Sequence, residues 1–219
     1  MRLTRHAWIR LGFVVFALLG SPGEILAQSL LDSESLTPSE ARTLATKYHS
    51  DKSFLTLTHL RELDPAVARE MAVTNGHLGF SALQVLSPAA AHELASHKAM
   101  LELNALLELS PETAKVLVKH GGALSMKSAQ LSDETLSVLS QYPGLLVLGL
   151  TKVSQEQARI FAEHQGRLHL TALQSLESER VEETLSQHRG ELRIEGLRSL
   201  TSALLAAKLA QPEGHLDLR

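Results

Sequence analysis

A leucine-centred phrase recurs along this chain at a nearly constant spacing, and that period restricts the fold more than any single residue does. Its anchor positions are Leu36, Leu63, Leu86, Leu109, Leu131, Val153, Leu176 and Leu200, separated by 27, 23, 23, 22, 22, 23 and 24 residues. Self-similarity at a period of about 20–50 residues marks a stack of small units, none of which can bury its apolar face alone. The chain is therefore expected to form a solenoid of about eight units of 22–27 residues over 36–219, not a closed globule.

Within each unit the residues predict a helix, a turn and a short strand. In the third unit Ser87 stands as a helix N-cap, with Pro88 at the first helical position, where its missing N–H costs nothing. Ala91, Leu94 and Ala95 then fall on one helical stripe, and Leu101 and Leu103 alternate with polar neighbours as a strand does. Caps are expected at Thr37, Asp64, Ser87, Ser110, Ser132, Ser154 and Thr201. The strand column reads Leu55/Leu57, Leu78/Phe80, Leu101/Leu103, Leu124/Met126, Leu146/Leu148, Leu168/Leu170, Leu192/Ile194 and Leu216/Leu218. The helix column reads Ala41/Leu44, Ala68/Met71, Ala91/Leu94, Ala114/Leu117, Leu136/Leu139 and Ala158/Phe161. A glycine follows most helices (Gly76, Gly121, Gly144, Gly166, Gly190, Gly214), where a left-handed residue is expected to end the helix. Two irregularities stand out. The first unit has an insertion at 48–53 in place of the glycine, and the seventh puts Glu182 in the usual alanine slot, predicting a rotated helix that exposes it.

The first 27 residues differ in kind. Arg2, Arg5 and Arg10 precede an apolar run at 11–19, a Gly-Ser-Pro-Gly break follows, and Ala27 is a small residue before Gln28. This is the layout of a signal peptide over 1–27 with cleavage after Ala27, followed by a linker over 28–35. The apolar run is too short to cross about 30 Å of hydrocarbon, so no membrane span is expected after cleavage. The expectation is export to the periplasm or the extracellular space. Loss of three Arg and Glu24 takes the formal charge from -3 to -5. A mildly acidic chain without a Lys/Arg cluster is a poor match for nucleic acid. Cysteine is absent, which excludes disulfides and a lipoprotein anchor.

The segments HLGFSALQVL, MLELNALLEL, RLHLTALQSL and ELRIEGLRSL resemble the leucine-rich repeat family, in an exported bacterial form, and the resemblance covers 36–219. It implies an α/β solenoid with short parallel strands on a concave face and helices on the convex face. It also implies protein binding as the role, with no catalytic residues and no cofactor. The family's usual Asn after the second leucine pair is replaced here by Leu60, Leu83, Leu106, Leu173 or Leu197.

Between the inward leucines, the strand face would present Met100, Glu102, Leu145 and Val147 near its middle. Arg167, His169, Glu191, Arg193 and Glu195 lie toward its C-terminal end. An apolar centre with a charged flank suits a protein partner. A second candidate is the column His97, His120, His164 and His188, with Thr74 and Tyr142 in the same slot. Imidazoles on consecutive layers offer a metal-binding or sensing alternative. As structural groups they would hydrogen-bond free carbonyls at helix C-termini, and with no recurring carboxylate beside them no metal site is assigned. A third alternative is self-association through the strand edge at the C-terminal end. The sequence holds no Gly-rich phosphate loop, no G-x-S-x-G and no H-E-x-x-H, so an enzyme is not expected.

Overall fold

The computed structural model describes residues 22–49, 53–127, 130–211 and 214–218. The leader and apolar run of the expected signal peptide lie outside the described residues, as do 50–52 of the first-unit insertion. The described chain runs α1 (Pro22–Leu31), α2 (Pro38–Lys47), β1 (Phe54–Leu57), α3 (Pro65–Ala72), β2 (His77–Phe80), α4 (Pro88–Leu94) and β3 (Leu101–Glu102). It continues α5 (Pro111–Leu117), β4 (Leu124–Met126), α6 (Asp133–Leu139), β5 (Leu145–Leu148), β6 (Lys152–Val153), α7 (Gln155–Glu163) and β7 (Arg167–Leu170). Last come β8 (Ser175–Leu176), α8 (Glu179–Ser186), β9 (Leu192–Leu197), α9 (Ala203–Leu209) and β10 (Gly214–Leu218). None of the helices is long and apolar enough to cross a membrane among the described residues.

The fold is α/β, with parallel strands alternating with helices. Eight strands form one sheet in the order β1-β2-β3-β4-β5-β7-β9-β10, so within it the strands follow chain order, while β6 and β8 pair with each other in a separate two-stranded sheet. From β1 to β9 the register keeps the repeat: Leu55 faces Leu78, which faces Leu101, Leu124, Leu146, Leu168 and Leu192 in turn. Each of these leucines is 0–1% exposed, and so are Leu57, Phe80, Leu103, Met126, Leu148, Leu170 and Ile194 two residues on. Their partners in the core are the helix-column pairs from Ala41/Leu44 through Ala158/Phe161, all buried, and each helix packs on the next. A small alanine lets the helix approach the sheet, and the larger residue beside it fills the remaining space. Each fully buried leucine contributes roughly 1.5–3 kcal/mol.

Local chemistry starts six helices at the expected caps, adds one cap and shifts another. The side chains of Thr37, Asp64, Ser87, Ser110, Ser132 and Ser154 each accept a first-turn N–H, as does Ser178 before α8. Before α9 the cap is Ser202, one residue later than Thr201. On the helical side, Arg42 and Arg69 make paired hydrogen bonds to Glu70 and Glu93 of the next helix, at 2.7–3.1 Å. On the far side of the strands, single backbone bonds link successive units. Leu107 N–H donates to Gln84 O at 3.1 Å, Gln130 N–H to Leu107 O at 2.8 Å and Gln174 N–H to Thr151 O at 3.0 Å. With Leu60, Leu83, Leu106, Leu173 and Leu197 buried, backbone carbonyls supply the cross-unit bonding on this side. Asn104 adds one side-chain bridge, its Oδ1 accepting from Ser125 Oγ at 2.8 Å and from Lys127 N–H at 3.2 Å.

Four expectations are corrected. First, the glycines after the helices are not left-handed: the one positive φ among the described glycines is 84°, at Gly196. A Cβ on Gly144, Gly166 or Gly190 would instead lie 2.7, 2.5 or 2.0 Å from the carbonyl oxygen of Gly122, Gly144 or Gly166. Close approach of one unit's turn to the previous one requires glycine there. Second, the last rung slips by two residues: Leu216 faces Ile194, not Leu192, and His215 faces Arg193. A bulge follows, in which Gly196 is the extra residue between Glu195, facing Asp217, and Leu197, facing Leu218. Third, Glu182 is buried, at 5% exposure. Fourth, the 28–35 segment is not all linker: α1 continues through Leu31, Ala27 and Leu30 are buried, and Thr58 N–H donates to Leu31 O at 3.1 Å.

Candidate functional site

The strand residues between the inward leucines point away from the helices, because successive side chains of a strand alternate in direction. One column of this face runs Thr56, Gly79, Glu102, Ser125, Val147, His169 and Arg193, fixed by the strand register. A flanking column begins with Phe54 beside His77 and reaches Leu145 beside Arg167. Met100 and Ala123 continue it between those pairs, each preceding the inward leucine of its strand. Phe54 is 69% exposed, and its ring lies 4.4 Å from that of His77. Met100, Glu102 and Leu145 are half-buried, Val147 is buried and Arg167 is exposed.

The charged end is knit together more than its sequence indicates. Glu191 Oε1 sits 3.4 Å from both His169 Nε2 and Arg193 Nη2. Burial lowers the pKa of His169, and the Glu191 carboxylate partly opposes that. Arg193 Nε is buried without a partner. Glu195 stands two residues farther along β9, beside Asp217 in the register. The structure thus brings His169, Glu191 and Arg193 into one cluster with Arg167 next to it, while Glu102 lies apart on β3.

The histidine column is a set of cross-unit ties. His120 Nε2 lies 3.0 Å from Ala99 O, His164 Nδ1 2.9 Å from Ser140 O and His188 Nδ1 2.8 Å from Phe161 O, each carbonyl belonging to the preceding unit. A carbonyl only accepts, so the facing ring nitrogen carries the proton and the other is bare. Tyr142 reaches the Gly122 carbonyl in the same manner. Thr74 bonds Met71 O of its own helix at 2.9 Å. His97 makes no ring hydrogen bond, although the nearby carbonyls of Ala72, Met100 and Thr74 favour its protonated form. Its ring stacks on His120 at 5.8 Å, and His164 stacks on His188 at 5.6 Å.

Burial lowers the pKa values of His97 and His188 and pushes that of His120 down to about 4, with His97 adding to the effect at His120. Among the described residues, no three His, Asp or Glu side chains are placed to share a metal ion. The column expected to bond carbonyls at its own helix ends therefore bonds mainly those of the unit before. Sequence spacing does not carry that information, since any residue can provide a backbone carbonyl.

The helix position of Glu182 suggests an exposed carboxylate, but the side chain is buried. It instead serves α9: its Oε2 accepts the backbone N–H groups of Thr201 and Ser202. No protein-family model and no curated protein matches this chain.

Proposed function

We propose that this chain is an exported, non-catalytic scaffold, a leucine-rich-repeat-like solenoid that binds a protein partner through its strand face. The observation that carries the reading is the in-register parallel sheet in chain order, whose outer face holds Met100, Leu145 and Val147 beside a charged cluster and carries no helix among the described residues. Such an arrangement presents a broad, shallow surface, suited to many weak contacts around a few apolar anchors. In this reading the sheet is the concave side and the helices, tied by Arg42–Glu70 and Arg69–Glu93, are the convex side. The signal-like leader supports a site of action in the periplasm or outside the cell.

The test compares one substitution on each side. Leu145→Glu on the strand face should abolish capture of the partner from an extracytoplasmic extract, with thermal melting verifying the fold. Lys115→Glu on α5 should leave capture intact. Equal capture by both variants and the parent chain would refute the strand face as the binding surface.

A further inference from the structure

Three charges on the strand face make no ion pair among the described residues, Glu102, Arg167 and Glu195, and the first two, of opposite sign, flank its apolar middle. The side chains of Glu102 on β3 and Arg167 on β7 make no hydrogen bond or ion pair among the described residues, whereas Glu191 is shared by His169 and Arg193. The sheet order β3-β4-β5-β7 puts them three strand spacings apart, and Arg167 lies two residues before His169, which is level with Glu102, so their backbones are about 16 Å apart. The floor between them is apolar or satisfied: Met100, Ala123, Leu145 and Val147, with Ser125 bonded to Asn104.

An extended polypeptide advances about 3.3 Å per residue and shows alternate side chains on one side. Its residues i, i+2 and i+4 therefore span about 13 Å, and the long side chains at each end cover the remaining ~3 Å to the two charges. We propose that the strand face docks an extended protein segment with a basic, an apolar and an acidic side chain at alternate positions. The basic group lies over Glu102, the apolar one over Leu145 and Val147, and the acidic one over Arg167. This rests on the strand-face reading above and adds the chemistry of the partner. A segment with two like charges would meet repulsion at one end, so the face selects by charge order as well as by apolar contact.

The experiment uses four labelled synthetic peptides: Lys-Thr-Leu-Thr-Asp, its reverse Asp-Thr-Leu-Thr-Lys, Lys-Thr-Leu-Thr-Lys and Asp-Thr-Leu-Thr-Asp, titrated at low salt by fluorescence polarisation. The reverse peptide is included because an extended segment can lie in either direction. The parent chain should bind the two mixed-charge peptides about three- to fivefold more tightly than the like-charged ones. Arg167→Glu should move the preference to the Lys/Lys peptide, and Glu102→Lys to the Asp/Asp peptide. Both variants should melt as the parent does. Equal binding of all four, no binding of any, or preferences that ignore the reversals would overturn the proposal. If partner capture still depends on Leu145 in that event, the strand-face reading stands and only the charge pairing falls.

Discussion

The Glu182 carboxylate accepts the backbone N–H of Thr201 at 2.8 Å, just before the helix Ala203–Leu209 begins. A second bond from Ser202 N–H makes this one side chain the acceptor for two amides of the following unit. The slot holds alanine in most other units, so Glu182→Ala would appear to restore the repeat. It should instead cost about 1–3 kcal/mol, because both amides lose their acceptor, that of Ser202 in a buried setting and that of Thr201 in a partly buried one. Glu182→Gln keeps a carbonyl oxygen there and should cost less. Denaturant melts of the two variants check the order.

The turn glycines make a second prediction. Gly190 lies where a Cβ would sit 2.0 Å from Gly166 O, a backbone atom that cannot swing aside. Gly190→Ala should destabilise by about 1–3 kcal/mol through forced separation of two units. Gly121→Ala is the control, since its nearest neighbour is the flexible Lys98 side chain at 3.4 Å. A melting curve in which both variants match the parent would contradict the close-approach account.

Acid sensitivity follows from the histidine column. The folded-state pKa values of His97, His120 and His188 are lowered by burial, so the neutral rings contribute stability in full above the ordinary histidine pKa of about 6.5. That contribution is lost as pH falls toward about 4, where His120 itself protonates in the folded chain. Charges near these rings are few: His77 and His120 face His97, while His164 and Lys208 face His188. All of them oppose protonation. His97→Leu removes a buried ring that has no hydrogen bond to lose. Between pH 7.5 and pH 5.0 the variant should lose less stability than the parent in urea melts. Equal losses would place the acid sensitivity elsewhere.

Much of this architecture is legible in the sequence because it is periodic. Leu101 and Leu103 announce a strand by alternation, and Ser87-Pro88 announces a helix start; both depend only on neighbours in the chain. What escapes is contact between units. Glu182 reads as an exposed helix residue until the amides of Thr201 and Ser202 are placed beside it. The glycines suggest left-handed turns until the preceding carbonyl is seen against them. The slip that puts Leu216 opposite Ile194 depends on the bulge at Gly196, and the column of leucines gives no sign of it. The strand face is legible as a set of columns, but the pairing of Glu191 with His169 and Arg193, and the lack of an ion pair at Glu102 and Arg167, depend on side-chain placement across strands.

The account as a whole depends on successive strands lying side by side in chain order, and the absence of cysteine allows that to be measured cleanly. Spin labels on cysteines introduced at Phe54 and Arg167, both exposed, sit on strands five spacings apart in the sheet. Dipolar spectroscopy should give one narrow distribution consistent with a backbone separation of about 24 Å, broadened by the label arms. A distribution centred beyond about 40 Å, or one spread without a maximum, would contradict the stacking of units, since five spacings in register cannot reach so far.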